Sequence, residues 1–393
     1  MRLGFNAFVK KLFSGSRGSS ESEDSAQLEV LPQSEIASLL PVPQFELATH
    51  NLARLLRERL ETRGPAHVKL AIVGPAGSYA QEIVARWAEQ EGHQVVQPPE
   101  VERLLRPAGD NDSLELENPS MRFWESMPQV SSGVLVIPHL ERFFLRHHAG
   151  LDLLRQFTQW VWQAPCRVVV GCDSWAWAYL TQAIQIHSVF SPPIAMRAFD
   201  PHALMEWFQL IESRERPFLY RDSEEELFPP VETEAAGDSN GKRSAGRLTI
   251  ERKTEELLEK IAVIARGNPG VACAIWGRLL CTKAQEAECE QSARHPMPVR
   301  VRALADLQRP ILPPKSSTRE AIVLHTLLLH RGLQPDIILQ LVPFPPSKAI
   351  ETLASLEAAQ LIELQDGFWR VTLLAYPAVR SALKADGLLV DDF

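Results

Sequence analysis

The chain has 393 residues, 45% of them hydrophobic and 23% charged, with a formal net charge of −8 at pH 7. That length and apolar content support two or three domains with real cores, while the acidic balance argues against a protein whose main task is gripping nucleic acid. Five cysteines with no Cys-x-x-Cys pair read as reduced thiols of a cytoplasmic protein, and no apolar run reaches the roughly 18 residues that span a bilayer or resembles a cleavable leader.

Residues 1–14 set Phe5, Phe8 and Leu12 among Lys10 and Lys11. This is the pattern of a basic amphipathic helix able to lie in a membrane interface; an unfolded leader or a helix packed on a partner are the alternatives. The segment 15–40 opens with a polar, Ser- and Glu-rich stretch and is expected to be a flexible tether. Leu47, Leu52, Leu55, Leu56 and Leu60 predict a helix within 41–63, and 68–73 a buried strand.

That strand runs into Gly74-Pro-Ala-Gly-Ser-Tyr79, the outline of a phosphate-binding loop. Such loops follow Gly-x-x-x-x-Gly-Lys-Ser/Thr: glycines admit the phosphates to the backbone N–H groups, the Lys reaches the terminal phosphates, and the hydroxyl holds Mg²⁺. Counted from Gly74, the second Gly position is Tyr79, the Lys position Ala80 and the hydroxyl position Gln81. The scaffold is expected without its charges.

A helix follows over 79–90 on Ile83, Val84 and Trp87, with a short strand candidate at Val95-Val96. Asp110, Asp112, Glu115 and Glu117 read as a solvated acidic loop rather than a metal site. Gly133–Ile137 suits a central parallel strand. P-loop ATPases end such a strand in an acidic pair. Pro138 and His139 stand there instead, and Glu141 lies two residues too far along to substitute. His147-His148 read as surface or capping residues. A helix over 150–162 precedes the strand that ends at Cys172. Asp173 and Ser174 then either present polar groups at the ligand-binding edge of a parallel sheet or, the preferred reading, cap the helix carrying Trp175, Trp177 and Tyr179.

Ile194–Ala198 reads as another strand, and Asp200 as the cap of a helix through Ile211. The charged, Pro- and Gly-broken segment 213–247 is expected to be a disordered insertion or linker. Thr254–Arg266 and a helix opening at Pro269 behind Asn268 form a helical lid, with a strand candidate at 298–303. Three helices, 318–331, 335–341 and 347–360, then lead to a hairpin over 361–372 turned at Asp366-Gly367, the outline of a winged helix. Its third helix sets Lys348 against Glu351 and Glu357, so nucleic acid is not the expected partner; Phe368 and Trp369 are candidate anchors for a protein. A last helix, 378–384, precedes a free acidic tail, Asp391-Asp392-Phe393.

Loop, strand ends and Gly-Asn-Pro lid occur in the order of AAA+ ATPases, and residues 45–390 resemble the STAND-like and origin-recognition-like branches that append a winged helix. The resemblance implies a five-stranded parallel sheet, a helical lid, and ATP or ADP at their junction. It makes Gly74, Pro75, Ala76, Gly77, Ser78 and Tyr79 the nucleotide loop, puts Asp173 or Ser174 near a first sensor, and Asn268 with Pro269 near a lid sensor. The expected fold is therefore α/β: a parallel-sheet P-loop NTPase-like (AAA+-like) domain over 41–212, a lid and connecting segment over 248–310, and a winged-helix domain over 311–393. With the loop Lys, the hydroxyl and the acidic pair all replaced, the leading expectation is a non-catalytic regulatory or scaffolding protein that binds other proteins, cytoplasmic, with the N-terminal helix able to touch a membrane face. An ATP- or ADP-binding switch is the second reading, a DNA-binding regulator the third, and an enzyme using an unrelated site the last. No residue is assigned a catalytic or metal-binding role.

Overall fold

A computed structural model describes residues 28–40, 45–61, 68–105, 123–124, 133–147, 149–196, 199, 202–203, 207–208, 216–221, 225–228, 241–283, 298–312, 318–389 and 391. The amphipathic segment with Phe5, Phe8, Lys10, Lys11 and Leu12, the acidic loop at 110–117, His148, Cys289 and most of the helix expected after Asp200 lie outside the described residues.

In chain order the first elements are β1 (Leu28–Val30), α1 (Gln33–Leu39), α2 (Phe45–Glu61), β2 (Lys69–Gly74), α3 (Ala80–Gln90), β3 (Gln94–Val95), α4 (Val101–Leu105) and β4 (Val134–Ile137). They are followed by α5 (Asp152–Gln163), β5 (Arg167–Asp173), α6 (Ser174–Ile184), β6 (Ile194–Ala195), β7 (Phe218–Tyr220), α7 (Gly241–Ala265), α8 (Pro269–Leu279), β8 (Leu280–Lys283) and β9 (Val299–Val301). The last unit comprises α9 (Thr318–Leu329), α10 (Pro335–Leu341), α11 (Pro346–Ala358), β10 (Ile362–Gln365), β11 (Phe368–Val371) and α12 (Tyr376–Ala385).

The main sheet has five parallel strands in the order β3-β4-β5-β2-β6. Its central strands are apolar on both faces because both are covered. Leu70 and Ile72 of β2 pack with Leu52, Leu56 and Leu60 of α2 and with Ile83, Val84 and Trp87 of α3. Ala71 and Val73, one residue out of phase, join the larger core that includes Leu154 and Phe157 of α5 and Trp175 of α6. The period-2 alternation of a strand thus feeds two layers of helices. Lys69 opens β2 from a buried position, its Nζ donating to the carbonyls of Ala164 (3.0 Å) and Cys166 (2.5 Å). Burial holds its amine below the usual range against the opposing pull of the Cys166 thiol.

A second sheet of order β1-β8-β9-β7 departs from the sequence expectation. Residues 28–39 are not tether: Leu28, Glu29 and Val30 pair antiparallel with Lys283, Thr282 and Cys281, and Ile36 of α1 lies over Gly277. Residues 213–247 are not all linker either. The apolar Phe218-Leu-Tyr220 pairs with Val299–Val301, and α7, with no proline to stop it, begins at Gly241. The last unit follows the expected order of three helices and a hairpin. Asp366 and Gly367 both have positive φ (52° and 79°), as the hairpin turn demands, and Leu333 adds a bridge to Trp369. Among the described residues no helix is long and apolar enough to cross a membrane.

Candidate functional site

The loop between β2 and α3 has the backbone that the Gly-Pro-Ala-Gly-Ser run predicts, with Gly77 at φ 84°, Tyr79 at φ 60° and a turn closed by Ser78 N–H to the Pro75 carbonyl at 3.0 Å. Its outer face is bonded to the lid. Asn268 caps α8, its Oδ1 accepting from Val271 N–H (3.2 Å), and turns its Nδ2 to the Ala76 carbonyl at 2.7 Å. Pro269 occupies the first helical turn, and Gly270 N–H donates to the Gly77 carbonyl at 2.9 Å. The two backbones are so close that a Cβ on Gly270 would stand 2.7 Å from Gly77 Cα. Leu373, arriving just after β11, closes the third side, 3.0 Å from a Cβ built on Gly77. Loop, lid and C-terminal unit therefore converge on one glycine.

Glu141 is a buried acid beyond β4. It sits in a short 3₁₀ turn beyond β4 with its carboxylate wholly buried, one oxygen accepting from Asp173 N–H (3.3 Å) and the other against His139 Nδ1 (3.2 Å). Burial alone would raise its pKa; the His139 bond and the Arg331 charge overcome this and hold it below the usual range. Asp173 is the expected cap of α6, accepting from Trp175 N–H at 2.9 Å. It also faces Glu141, and burial together with that neighbour pushes its carboxyl well above the ordinary carboxylate range.

The cation here comes from the C-terminal unit. Arg331, at φ 55° just past α9, ion-pairs with Glu82 in the first turn of α3. Burial would lower its pKa, but Glu82, Glu141 and Asp173 together raise it. Beside it His330 is buried against the Phe144 ring (centroids 4.9 Å apart). Its nitrogens lie near the Glu141 backbone without making a hydrogen bond among the described residues, and burial pushes it down to about 3. His325 bridges Arg146 (3.1 Å) and the Leu389 carbonyl (3.0 Å) and is held down at about 4 by burial and by Arg146.

Ser174 and the chain end overturn a further expectation. Asp391 is not part of a free tail: its side chain is fully buried and accepts from Ser174 Oγ at 2.5 Å. The aromatics of α6 reach three different neighbours, Trp175 to Tyr376, Trp177 to Phe190 and Tyr179 to Phe144. Of the proposed anchors, Trp369 is half-buried against the core and Phe368 half-exposed under the Arg370 guanidinium at 5.7 Å. Gln81, at the hydroxyl position, is buried, and its Nε2 has no partner among the described residues. His147 caps, as expected, bonding the Leu104 carbonyl. Sequence reasoning found the loop, the α6 cap and the start of α8 because Gly, Pro and Asp mark themselves locally. Arg331, Leu373 and Asp391 carry no such mark, being brought in from remote chain.

The fold is α/β, with a wholly parallel five-stranded sheet and a Gly-Pro-Ala-Gly-Ser loop leading from β2 into α3. No family model matches the chain, and no curated protein matches it. Solved structures similar to it include the RuvB Holliday junction branch migration motor of Thermotoga maritima, with 13% identity over 87% of this chain and 95% of that one at a TM-score of 0.35. The ORC2 protein of Aeropyrum pernix in ADPNP–ADP complexes has 11% identity over 93% and 97% at 0.38, and Cdc6p of Pyrobaculum aerophilum 11% over 92% and 100% at 0.35. Scores this low leave the fold to be judged on the chain's own sheet, loop and helices.

Proposed function

We propose that this chain is a non-catalytic AAA+/STAND-like protein, a regulatory or scaffolding module that acts through protein contacts and whose last unit is a winged helix. The contact of Gly77 with Gly270 carries the reading. Where a nucleotide would lie between loop and lid, Asn268 and Gly270 are bonded directly to the Ala76 and Gly77 carbonyls. Magnesium nucleotide does not fit the residues present. The loop Lys and hydroxyl are Ala80 and Gln81, the acids Pro138 and His139, and the one buried acid beyond β4, Glu141, is engaged by His139, by Asp173 N–H and by the field of Arg331. Each missing charge at a phosphoryl-transfer site forfeits about 3 kcal/mol of transition-state stabilisation.

One observation favours the second reading, an ATP- or ADP-binding switch: the N–H groups of Ala76 and Gly77 find no acceptor among the described residues, and such a nest attracts anions. A protein partner is preferred to DNA because Lys348 is already paired with Glu351 (2.7 Å) on the exposed face of α11, leaving that helix acidic. Phe368, and Trp369 in part, remain the candidate anchors, and the buried thiols Cys166, Cys172, Cys273 and Cys281 accord with a cytoplasmic protein. The test is ATP turnover with Mg²⁺ alongside equilibrium dialysis of ATP and ADP. We expect no turnover above a Gly74→Asp/Gly77→Asp variant and no saturable binding. Saturable binding without turnover moves the chain to the switch reading, and turnover overturns both.

A further inference from the structure

The side chain of Asp391 is wholly buried. Burying a carboxylate costs several kcal/mol unless it is paired and fully hydrogen-bonded. Asp391 meets both conditions. Its Oδ2 accepts from Ser174 Oγ (2.5 Å) and Tyr376 hydroxyl (3.2 Å), its Oδ1 from Arg380 Nε (2.7 Å), and its carbonyl from Arg380 guanidinium nitrogen (2.9 Å). The donors come from two units: Ser174 opens α6 at the end of the central strand β5, whereas Tyr376 and Arg380 belong to α12. Trp175 Nε1 orients the cradle by donating to the Tyr376 hydroxyl at 3.1 Å, and two residues upstream the Leu389 carbonyl is held by His325.

We propose that Ser174, Tyr376 and Arg380 form a carboxylate receptor, that its occupant is the chain's own tail through Asp391, and that this tail is a releasable latch fastening the C-terminal unit over the strand ends. The chemistry of the cradle supports release as well as closure. A cation, two hydroxyls and a helix N-terminus suit any compact anion, and a single residue, through its carboxylate and carbonyl, secures the tail in the cradle. Release would uncover the edge of the sheet that bears Asp173, where parallel α/β folds bind their ligands. The latch stands whether or not a nucleotide binds between loop and lid.

Hydrogen exchange of the full chain tests it. In Asp391→Asn and in Ser174→Ala, exchange should rise about tenfold or more over 174–178 and 383–391 and stay unchanged in β2 and α3, since a segment opens more readily once a hydrogen bond that holds it closed is removed. Combining the two substitutions should add little, because each breaks the same bond. A synthetic peptide of residues 388–393, added in excess to the unaltered chain, should compete with the tail and raise exchange in the same two segments. The peptide with Asn at the position of Asp391 should not. This arm needs no altered chain and decides the matter if a variant fails to fold. Unchanged exchange in folded Asp391→Asn, or equal effects of the two peptides, would overturn the latch.

Discussion

Arg331 illustrates how one remote side chain can serve several acids at once. A guanidinium 249 residues from Glu82 in the chain lies among Glu82, Glu141 and Asp173. Replacing Arg331 with Met would leave two buried carboxyls without their cation. Removing one partner of a buried pair costs about 3–5 kcal/mol, and because 24% of the Arg331 side chain stays exposed we expect the low end, about 3 kcal/mol at neutral pH. The deficit should shrink as the pH falls. Without the guanidinium, Asp173 would lie still further above its unfolded value, so protonation would favour the folded variant. Urea denaturation of the variant at pH 7 and pH 5 checks both statements; a deficit that grows in acid would contradict the pairing.

Gly270 shows where element-scale legibility stops. The lid helix was readable from Gly267, which ends one helix, and Pro269 in the first turn of the next, and the loop from its glycines, but nothing local says that the two touch. In an isolated helix Gly270→Ala would be favourable by about 1 kcal/mol. Here the new Cβ would stand 2.7 Å from Gly77 Cα and 2.8 Å from its carbonyl oxygen, both backbone atoms that cannot swing aside. We therefore expect a net loss of about 1–3 kcal/mol in thermal or urea denaturation; a stabilised variant would mean that lid and loop are apart. The same limit explains β1 and β7. Three-residue strands have too few side chains to show a period, and each exists because a remote partner strand completes it. The long apolar strands β2, β4 and β5 needed no such help, since a continuous buried run is itself the signal. The hairpin was equally plain from Asp366-Gly367.

At the scale of the whole molecule, docking of the C-terminal unit depends on two neutral histidines, and pH should act on it. His325 and His330 are buried against the Phe144 and Trp175 rings and face Arg146, which together disfavour a second positive charge more than the Leu389 carbonyl and Glu141 favour one. Folded, they take up protons only near pH 4 and pH 3; unfolded, near their ordinary value of 6.5. Between these values the unfolded chain binds more protons, so the stability the two histidines lend is complete above about pH 6.5 and declines as the pH falls toward 4. Asp173 opposes this trend, its raised pKa making acid favourable to the folded form. The histidine contribution is therefore isolated by comparison with His330→Phe, which keeps Asp173 and fills the place beside Phe144 with another ring. Urea midpoints for both chains from pH 7.5 to pH 4.5 should diverge, the unaltered chain losing ground to the variant with each step into acid. Parallel curves would mean that His330 titrates alike in the folded and unfolded chain, which its burial without a hydrogen-bond partner among the described residues argues against.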